Sequence, residues 1–226
     1  MSENIRVAID GPSGAGKSTL ARSVAARLNF LYVDTGAIYR TIGYAVWRKG
    51  IDPRDRSAVV AVLPDLEICL TYGTDGLQHM ELNGMDVTAE IRLPEVSRYA
   101  SLVSAYPEVR AYLLEMQRQL ARENSVVMDG RDIGTVVLPH ADVKIFLKAD
   151  VEVRARRREI ELQERGTPRP YKQVLEEMRQ RDYNDTHRSA APLRAAEDAV
   201  IVDTSDLDFQ QSKEKLLEII REKVGL

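Results

Sequence analysis

Apolar residues gather in five short runs along the chain: IRVAID (5–10), FLYVD (30–34), SVVMD (125–129), VKIFLKAD (143–150) and AVIVD (199–203). They are rich in Val and Ile and scarcely alternate with polar residues, which predicts strands buried on both faces. Between them the period changes. After Lys17, residues Leu20, Val24 and Leu28 form a stripe at helical spacing, and LEIIREKV predicts a last helix. Strand–helix alternation of this kind predicts an α/β fold with a central parallel five-stranded sheet flanked by helices. Each run ends in Asp, which puts carboxylates at the C-terminal edge of the sheet, where α/β proteins bind ligands.

One stretch departs from this rhythm. In LEICLTYGTDGLQHMELNGMDV (66–87) two β-like runs flank GTDG, and an NG pair follows. These are hairpin signals, so a small antiparallel insertion is predicted. Two helices are predicted to start at Pro94 and Pro107, each with Glu next, because proline suits the first helical position.

Composition narrows the function classes. Of 226 residues, 44% are hydrophobic and 30% charged, as in ordinary globular proteins. No apolar run reaches the roughly 20 residues of a membrane helix. The opening MSENIRVAIDG enters a strand almost at once and leaves no room for a signal peptide, so a cytoplasmic protein is expected. A net charge of -3 speaks against a surface for nucleic acid polymers. The lone Cys69, inside LEICL, is expected to be a buried thiol in a reducing compartment. His79, His140 and His187 have no metal-ligand spacing.

The first chemical signal is GPSGAGKST, Gly11 to Thr19, which fits G-x-x-x-x-G-K-[ST] between a strand and a helix. Gly11, Pro12, Ser13, Gly14, Ala15, Gly16, Lys17, Ser18 and Thr19 are the expected cradle for nucleotide phosphates. Lys17 is expected to reach the β- and γ-phosphates and Ser18 to hold Mg²⁺. Asp129, ending SVVMD, is either a support for that metal or a strand-end cap or ion-pair partner.

Four clusters combine arginine with short polar groups: DTGAIYR (34–40), Ser101 with Arg110 across Pro107, DGRD (129–132) and RDYNDTHR (181–188). In the last, Arg181, Asp185 and Arg188 share one face if the segment is helical. Alone, such a face is a surface ion-pair ladder worth about 0.2–0.5 kcal/mol per pair. Beside DGRD at a strand end it reads differently. Several cations near a P-loop suit a second anionic phosphate and the charge of a transferring phosphoryl group, while carboxylates suit sugar hydroxyls or base amino groups. A nucleoside monophosphate has all of these. From Val151 to Arg188 there are ten Lys/Arg and eight Asp/Glu, so RARRR (154–158) is either a solvated helix face or part of a lid that excludes water.

IDGPSGAGKSTLA, DTGAIYR, DGRDIGTVVLP and RDYNDTHRSAAPL followed by A-x-D-A together resemble the bacterial cytidylate kinase family over nearly the whole chain. The P-loop text is shared with guanylate kinases. The specific signal is DGRD-x-GTVV joined with RD-x-x-D-x-x-R-x-x-APL. One departure is DTGA, where many members have DSGA, and the hydroxyl survives it. The resemblance implies transfer of the ATP γ-phosphate to CMP or dCMP, with ATP and Mg²⁺ required. It implies that Arg40, Arg131 and Arg188 hold the CMP phosphate with Ser13 or Thr35 nearby. Arg181 and Asp185 would take the ribose, and Ser101, Arg110 and Asp132 the cytosine. Lys17, Arg131, Arg188 and a lid arginine, Arg157, would be the catalytic cations, and Ser18 with Asp129 the metal ligands. The implied fold is a P-loop NTPase unit over 1–226. Its approximate core is 1–35, 106–150 and 190–226, its NMP-binding insert 36–105, and its lid with the adjoining helix 151–189. A monomer acting on small nucleotides, with no membrane or nucleic acid partner, is expected. The rivals are a guanylate or adenylate kinase, and a nucleotide-binding switch without an acceptor.

Overall fold

The computed structural model describes residues 4–74, 76–164 and 166–226. The first three residues of the opening stretch and Asp75 of the GTDG turn lie outside the described residues. In chain order the elements are β1 (Arg6–Asp10), α1 (Lys17–Leu28), β2 (Leu31–Asp34), α2 (Thr35–Arg48), α3 (Arg56–Ala61), β3 (Ile68–Tyr72), β4 (Gln78–Leu82), β5 (Met85–Asp86), α4 (Pro94–Val103), α5 (Pro107–Glu123), β6 (Val126–Gly130), β7 (Val143–Lys148), α6 (Val151–Glu164), α7 (Tyr171–His187), β8 (Val200–Asp203) and α8 (Phe209–Val224). Short 3₁₀ turns occupy Leu63–Asp65 and Glu90–Arg92, and a π-helical turn occupies Ile133–Val137. By its internal contacts the chain divides into two compact units, 1–32 with 121–226, and 33–120.

All five apolar runs are strands of one sheet, ordered β2-β6-β1-β7-β8. The pairings of β1 with β6, β1 with β7 and β7 with β8 are parallel. Val7, Ile9, Val127, Ile145 and Leu147 from the strands share one buried cluster with Leu20 and Val24 of α1 and Leu216, Leu217 and Ile220 of α8. Burial of such branched side chains stabilises by about 1.5–3 kcal/mol each, which is what drives the layers together. β8 is the exception to two-faced burial. It is an edge strand, and its Ile201 is 59% exposed. Asp208 begins α8 with a reciprocal cap, accepting from the Gln211 amide while the Gln211 side chain accepts from Asp208. α6 and α7 pack through a small cluster of their own, Ala155, Leu162, Val174 and Met178.

In the second unit, β3, β4 and β5 form an antiparallel three-stranded sheet. α4 and α5 start at Pro94 and Pro107, as the sequence predicts. The buried-thiol expectation for Cys69 is corrected here: the residue is exposed. β3 alternates, with Ile68 buried and its neighbour turned to solvent, because this small sheet covers only one face. Among the described residues no helix is long and apolar enough to cross a membrane.

Candidate active site

β1 delivers the chain into the glycine-rich loop at Gly11, whose φ is 148°. A Cβ there would stand 2.1 Å from the Leu147 carbonyl oxygen, so only glycine lets β1 turn so close to β7. α1 then begins behind Gly16, which brings no side-chain cap, so its first-turn amides and its positive end are left to an anion. Lys17 is 5% exposed, and its Nζ donates to the Pro12 carbonyl at 2.6 Å. Burial, reinforced by Arg131 and Arg181, holds its pKa well below the usual lysine range, against the pull of Asp129 and Asp10. Ser18 Oγ donates to Asp129 Oδ2 at 2.9 Å, and the Tyr32 hydroxyl donates to Asp129 Oδ1 at 2.9 Å. Asp129 thus sits buried at the end of β6 with both oxygens oriented.

Asp10, the last residue of β1, accepts from the amides of Ile133 and Gly134 at 2.8 Å each. It therefore holds the turn that follows DGRD. Burial pushes its pKa up to about 7 in spite of those two bonds. DGRD and RDYNDTHR are joined by two crossed ion pairs. Arg131 Nε donates to Asp185 Oδ2 at 2.9 Å, and Arg188 lies 3.7 Å from Asp132 Oδ1. Burial alone would raise the Asp185 pKa, but Arg131, Arg181 and Arg188 outweigh it and hold the carboxyl below its ordinary value. Helix α7 stops at His187, so Arg188 stands just past it in extended backbone, its Nε donating to the Ala191 carbonyl at 2.8 Å.

The second unit has two polar groups of its own. Asp34 caps α2 through the Ala37 amide, and its Oδ2 also takes Arg40 at 2.8 Å and Arg92 at 3.2 Å. Thr35, next in the chain, is buried. Further along, Ser104 Oγ donates to the Ser101 carbonyl, and Arg110 donates to the Ser104 carbonyl at 3.1 Å. The Arg110 guanidinium lies 5.4 Å from the centre of the Tyr39 ring, a cation–π contact that fixes its plane.

A family model described as cytidylate kinase matches residues 7–222. The chain belongs to the cytidylate kinase family. Curated members are similar along their full length. The cytidylate kinase of Caldicellulosiruptor bescii is 48% identical over 217 residues, 96% of this chain and 96% of its own. That of Geobacillus sp. strain WCH70 is 46% identical over 225 residues, 100% of each. A solved structure, the shikimate kinase from Bacteroides thetaiotaomicron, aligns over 98% of this chain and 99% of its own with 16% identity and a TM-score of 0.49.

In this cytidylate kinase family member the basic stretch RARRR splits by environment. Arg154 is 4% exposed and donates to the Ala149 carbonyl, to the Ser13 carbonyl at 2.9 Å and, with both terminal nitrogens, to Asp182. It is the arginine of α6 that reaches the phosphate loop. Arg157 instead donates to the Thr204 carbonyl at 2.7 Å, beyond β8. Arg156 and Arg158 pair with Glu159 and Glu161 on their own helix and fit the solvated-face reading. Asp34 and Arg154 lie inside the DTGAIYR and RARRR stretches without a role of their own there, and Asp10, Tyr32 and Arg92 lie outside the arginine clusters. The acidic ends of the strand runs signalled Asp10 and Asp34. Nothing in the pattern separated Arg154 from the rest of RARRR, because a buried arginine in a charged run looks like its exposed neighbours.

The Asp185 environment gives a pH prediction. A carboxyl with a depressed folded-state pKa contributes stability above its unfolded value, 3.8, and loses it as pH falls through the lower folded value. The unfolding free energy of the wild type, read from urea denaturation, should therefore exceed that of Asp185→Asn near neutral pH, by about 3 kcal/mol if the pair with Arg131 is broken. The gap should close as pH is lowered below about 4. A gap that stays constant with pH would show that the Asp185 charge is not what stabilises the fold.

Proposed function

We propose that this chain transfers the γ-phosphoryl group of ATP to CMP or dCMP, giving ADP and CDP or dCDP. The crossed pairs Arg131–Asp185 and Arg188–Asp132 carry the reading. They arrange alternating cations and carboxylates at the sheet edge, with Arg131 and Arg181 near enough to Lys17 to depress its pKa. An arrangement of that kind suits two anionic phosphates flanked by a ribose and a base, and has no use in a bare nucleotide switch.

The chemistry assigned to the protein is positioning and charge stabilisation. The acceptor phosphate is already anionic, so no strong general base is assigned. Gly11 to Thr19 cradle the donor phosphates. Lys17, Arg131 and Arg188 balance charge as the phosphoryl group moves, and Arg157 joins them if its guanidinium leaves the Thr204 carbonyl, to which it donates at 2.7 Å. Arg40, Thr35, Arg131 and Arg188 are assigned to the acceptor phosphate, and Arg181 and Asp185 to its ribose. Asp132, Ser101 and Arg110 are assigned to the cytosine. A carboxylate accepts from the exocyclic amino group, and a guanidinium donates to the ring acceptors. Uracil presents an oxygen where cytosine has that amino group, so a buried carboxylate facing it is penalised.

The oxygen donors of Ser18 and Asp129, 2.9 Å apart and oriented by Tyr32, fit a hard divalent cation shared with substrate phosphates. Mg²⁺ held there would neutralise charge on the β- and γ-phosphate oxygens. The reading also makes the protein a cytoplasmic monomer of pyrimidine nucleotide metabolism.

Coupled ADP release with ATP and Mg²⁺ tests the acceptor. Strong turnover is expected with CMP and dCMP, weak turnover with UMP, and little with AMP or GMP. Asp132→Ala should lower kcat/KM for CMP by about 10- to 100-fold while leaving the KM for ATP nearly unchanged. Turnover with GMP or AMP in the wild type would overturn the acceptor assignment. Unchanged CMP kinetics in the variant would remove Asp132 from base reading.

A further inference from the structure

We infer that Arg92, in the 3₁₀ turn before α4, is a positioning residue for the acceptor phosphate, acting on Arg40 through a carboxylate they share, Asp34. The inference rests on the assignment of Arg40 to that phosphate.

The geometry is local to the second unit. Asp34 is 6% exposed and has its Oδ1 committed to the Ala37 amide at the start of α2. Its Oδ2 takes both Arg40 Nη2, at 2.8 Å, and Arg92 Nη1, at 3.2 Å. The main chain of Asp34 is also fixed. Gln78 of β4 accepts from its amide at 2.8 Å and donates to its carbonyl at 3.2 Å. Arg40 lies against Gly36, where a Cβ would come within 3.0 Å of its Nη1. The side chain of Arg40 is 18% exposed, and its Nε is buried with no hydrogen-bond partner among the described residues. Arg92 is the exposed member, at 52%.

The charges explain why two arginines are needed. A buried carboxylate paired with Arg40 alone would cancel its charge and set a negative group beside the incoming phosphate. Such a pair would orient Arg40 and disable it together. Arg92 supplies the second positive charge, so that Asp34 orients Arg40 and the group keeps one net positive charge for an anion. Burial would raise the Asp34 pKa, yet Arg40 and Arg92 together hold it below its ordinary value, so the carboxylate stays ionised and the orientation persists. Because Arg92 is half exposed, its effect is moderated by solvent and is smaller than that of Arg40.

Calorimetric binding of CMP and steady-state KM and kcat test this, with wild type, Arg40→Ala, Arg92→Ala, Arg92→Lys and the Arg40→Ala/Arg92→Ala double variant. The expected result is that Arg92→Ala weakens CMP binding about 3- to 10-fold, with the KM for ATP and kcat little changed, and that Arg92→Lys recovers most of the loss. In the Arg40→Ala background, removing Arg92 should cost less than it does in the wild type, because the guanidinium it helps to orient is gone and only its own solvent-screened charge remains. If Arg92→Ala binds CMP like the wild type, or weakens binding equally with and without Arg40, the positioning role is overturned while the Arg40 assignment stands. If Arg40→Ala itself leaves CMP binding unchanged, the Arg40 assignment fails and the inference fails with it. A purely structural Arg92 would lower the unfolding temperature and leave the dependence of CMP affinity on Arg40 untouched.

Discussion

Lys17→Ala is expected to lower kcat for phosphoryl transfer by about 100- to 1,000-fold, the scale seen when a single pre-aimed donor is removed from developing transition-state charge. The structure gives the reason for so large an effect. The ammonium is buried, its Nζ is parked on the Pro12 carbonyl at 2.6 Å, and Arg131 and Arg181 repel it. A cation kept in this way, dehydrated and crowded by like charge, gains more from an arriving polyanion than a hydrated surface lysine would. Pre-steady-state transfer with saturating ATP and CMP measures the loss directly. CMP binding without ATP should be little changed, and thermal unfolding should show an intact fold. If kcat fell less than about tenfold, Lys17 would be a ground-state anchor for the donor, and Arg131 and Arg188 would carry the transition-state charge.

The second large effect is on stability. Gly11→Ala combines a backbone at φ 148° with a Cβ placed 2.1 Å from the Leu147 carbonyl oxygen. Strained backbone costs about 1–3 kcal/mol, and forcing β1 and β7 apart costs about 1–3 kcal/mol more. A total of about 2–6 kcal/mol corresponds to an unfolding temperature lower by about 5 to 20 °C for a domain of this size. Gly50→Ala is the control. Its φ of 66° is also positive, but no atom of the described residues lies within 4 Å of the added carbon, so only the backbone strain remains. Differential scanning calorimetry of the two variants separates the terms. Equal losses would show that the β1–β7 approach relaxes freely around the new methyl group.

Much of the fold is written in local pattern. Val- and Ile-rich runs that do not alternate demand burial on both faces; the strands at 6–10, 126–130 and 143–148 answer that demand, while 31–34 and 200–203 lie at the two edges of the sheet and the second leaves Ile201 exposed. Proline marks the starts of α4 and α5, and glycines mark the phosphate loop, because these two residues act on the backbone within a few positions. The motifs also name most of the candidate site, since strand-end carboxylates and a glycine-rich loop have one place to go in a parallel sheet.

What the pattern does not contain is partnership across long separations. Cys69 looks buried in an apolar run and is exposed, because a sheet covered on one face decides burial by register. Arg154 and Arg156 read alike, yet only the first is buried on the Ser13 carbonyl and Asp182. Asp34 takes Arg92 from 58 residues away, and Arg131 takes Asp185 from 54 away. The sequence by itself determined which chemical groups this protein brings to the edge of its sheet. Only the tertiary structure decided which carboxylate each arginine faces, because a charge acts through distance and dielectric, and both are set by the folded chain.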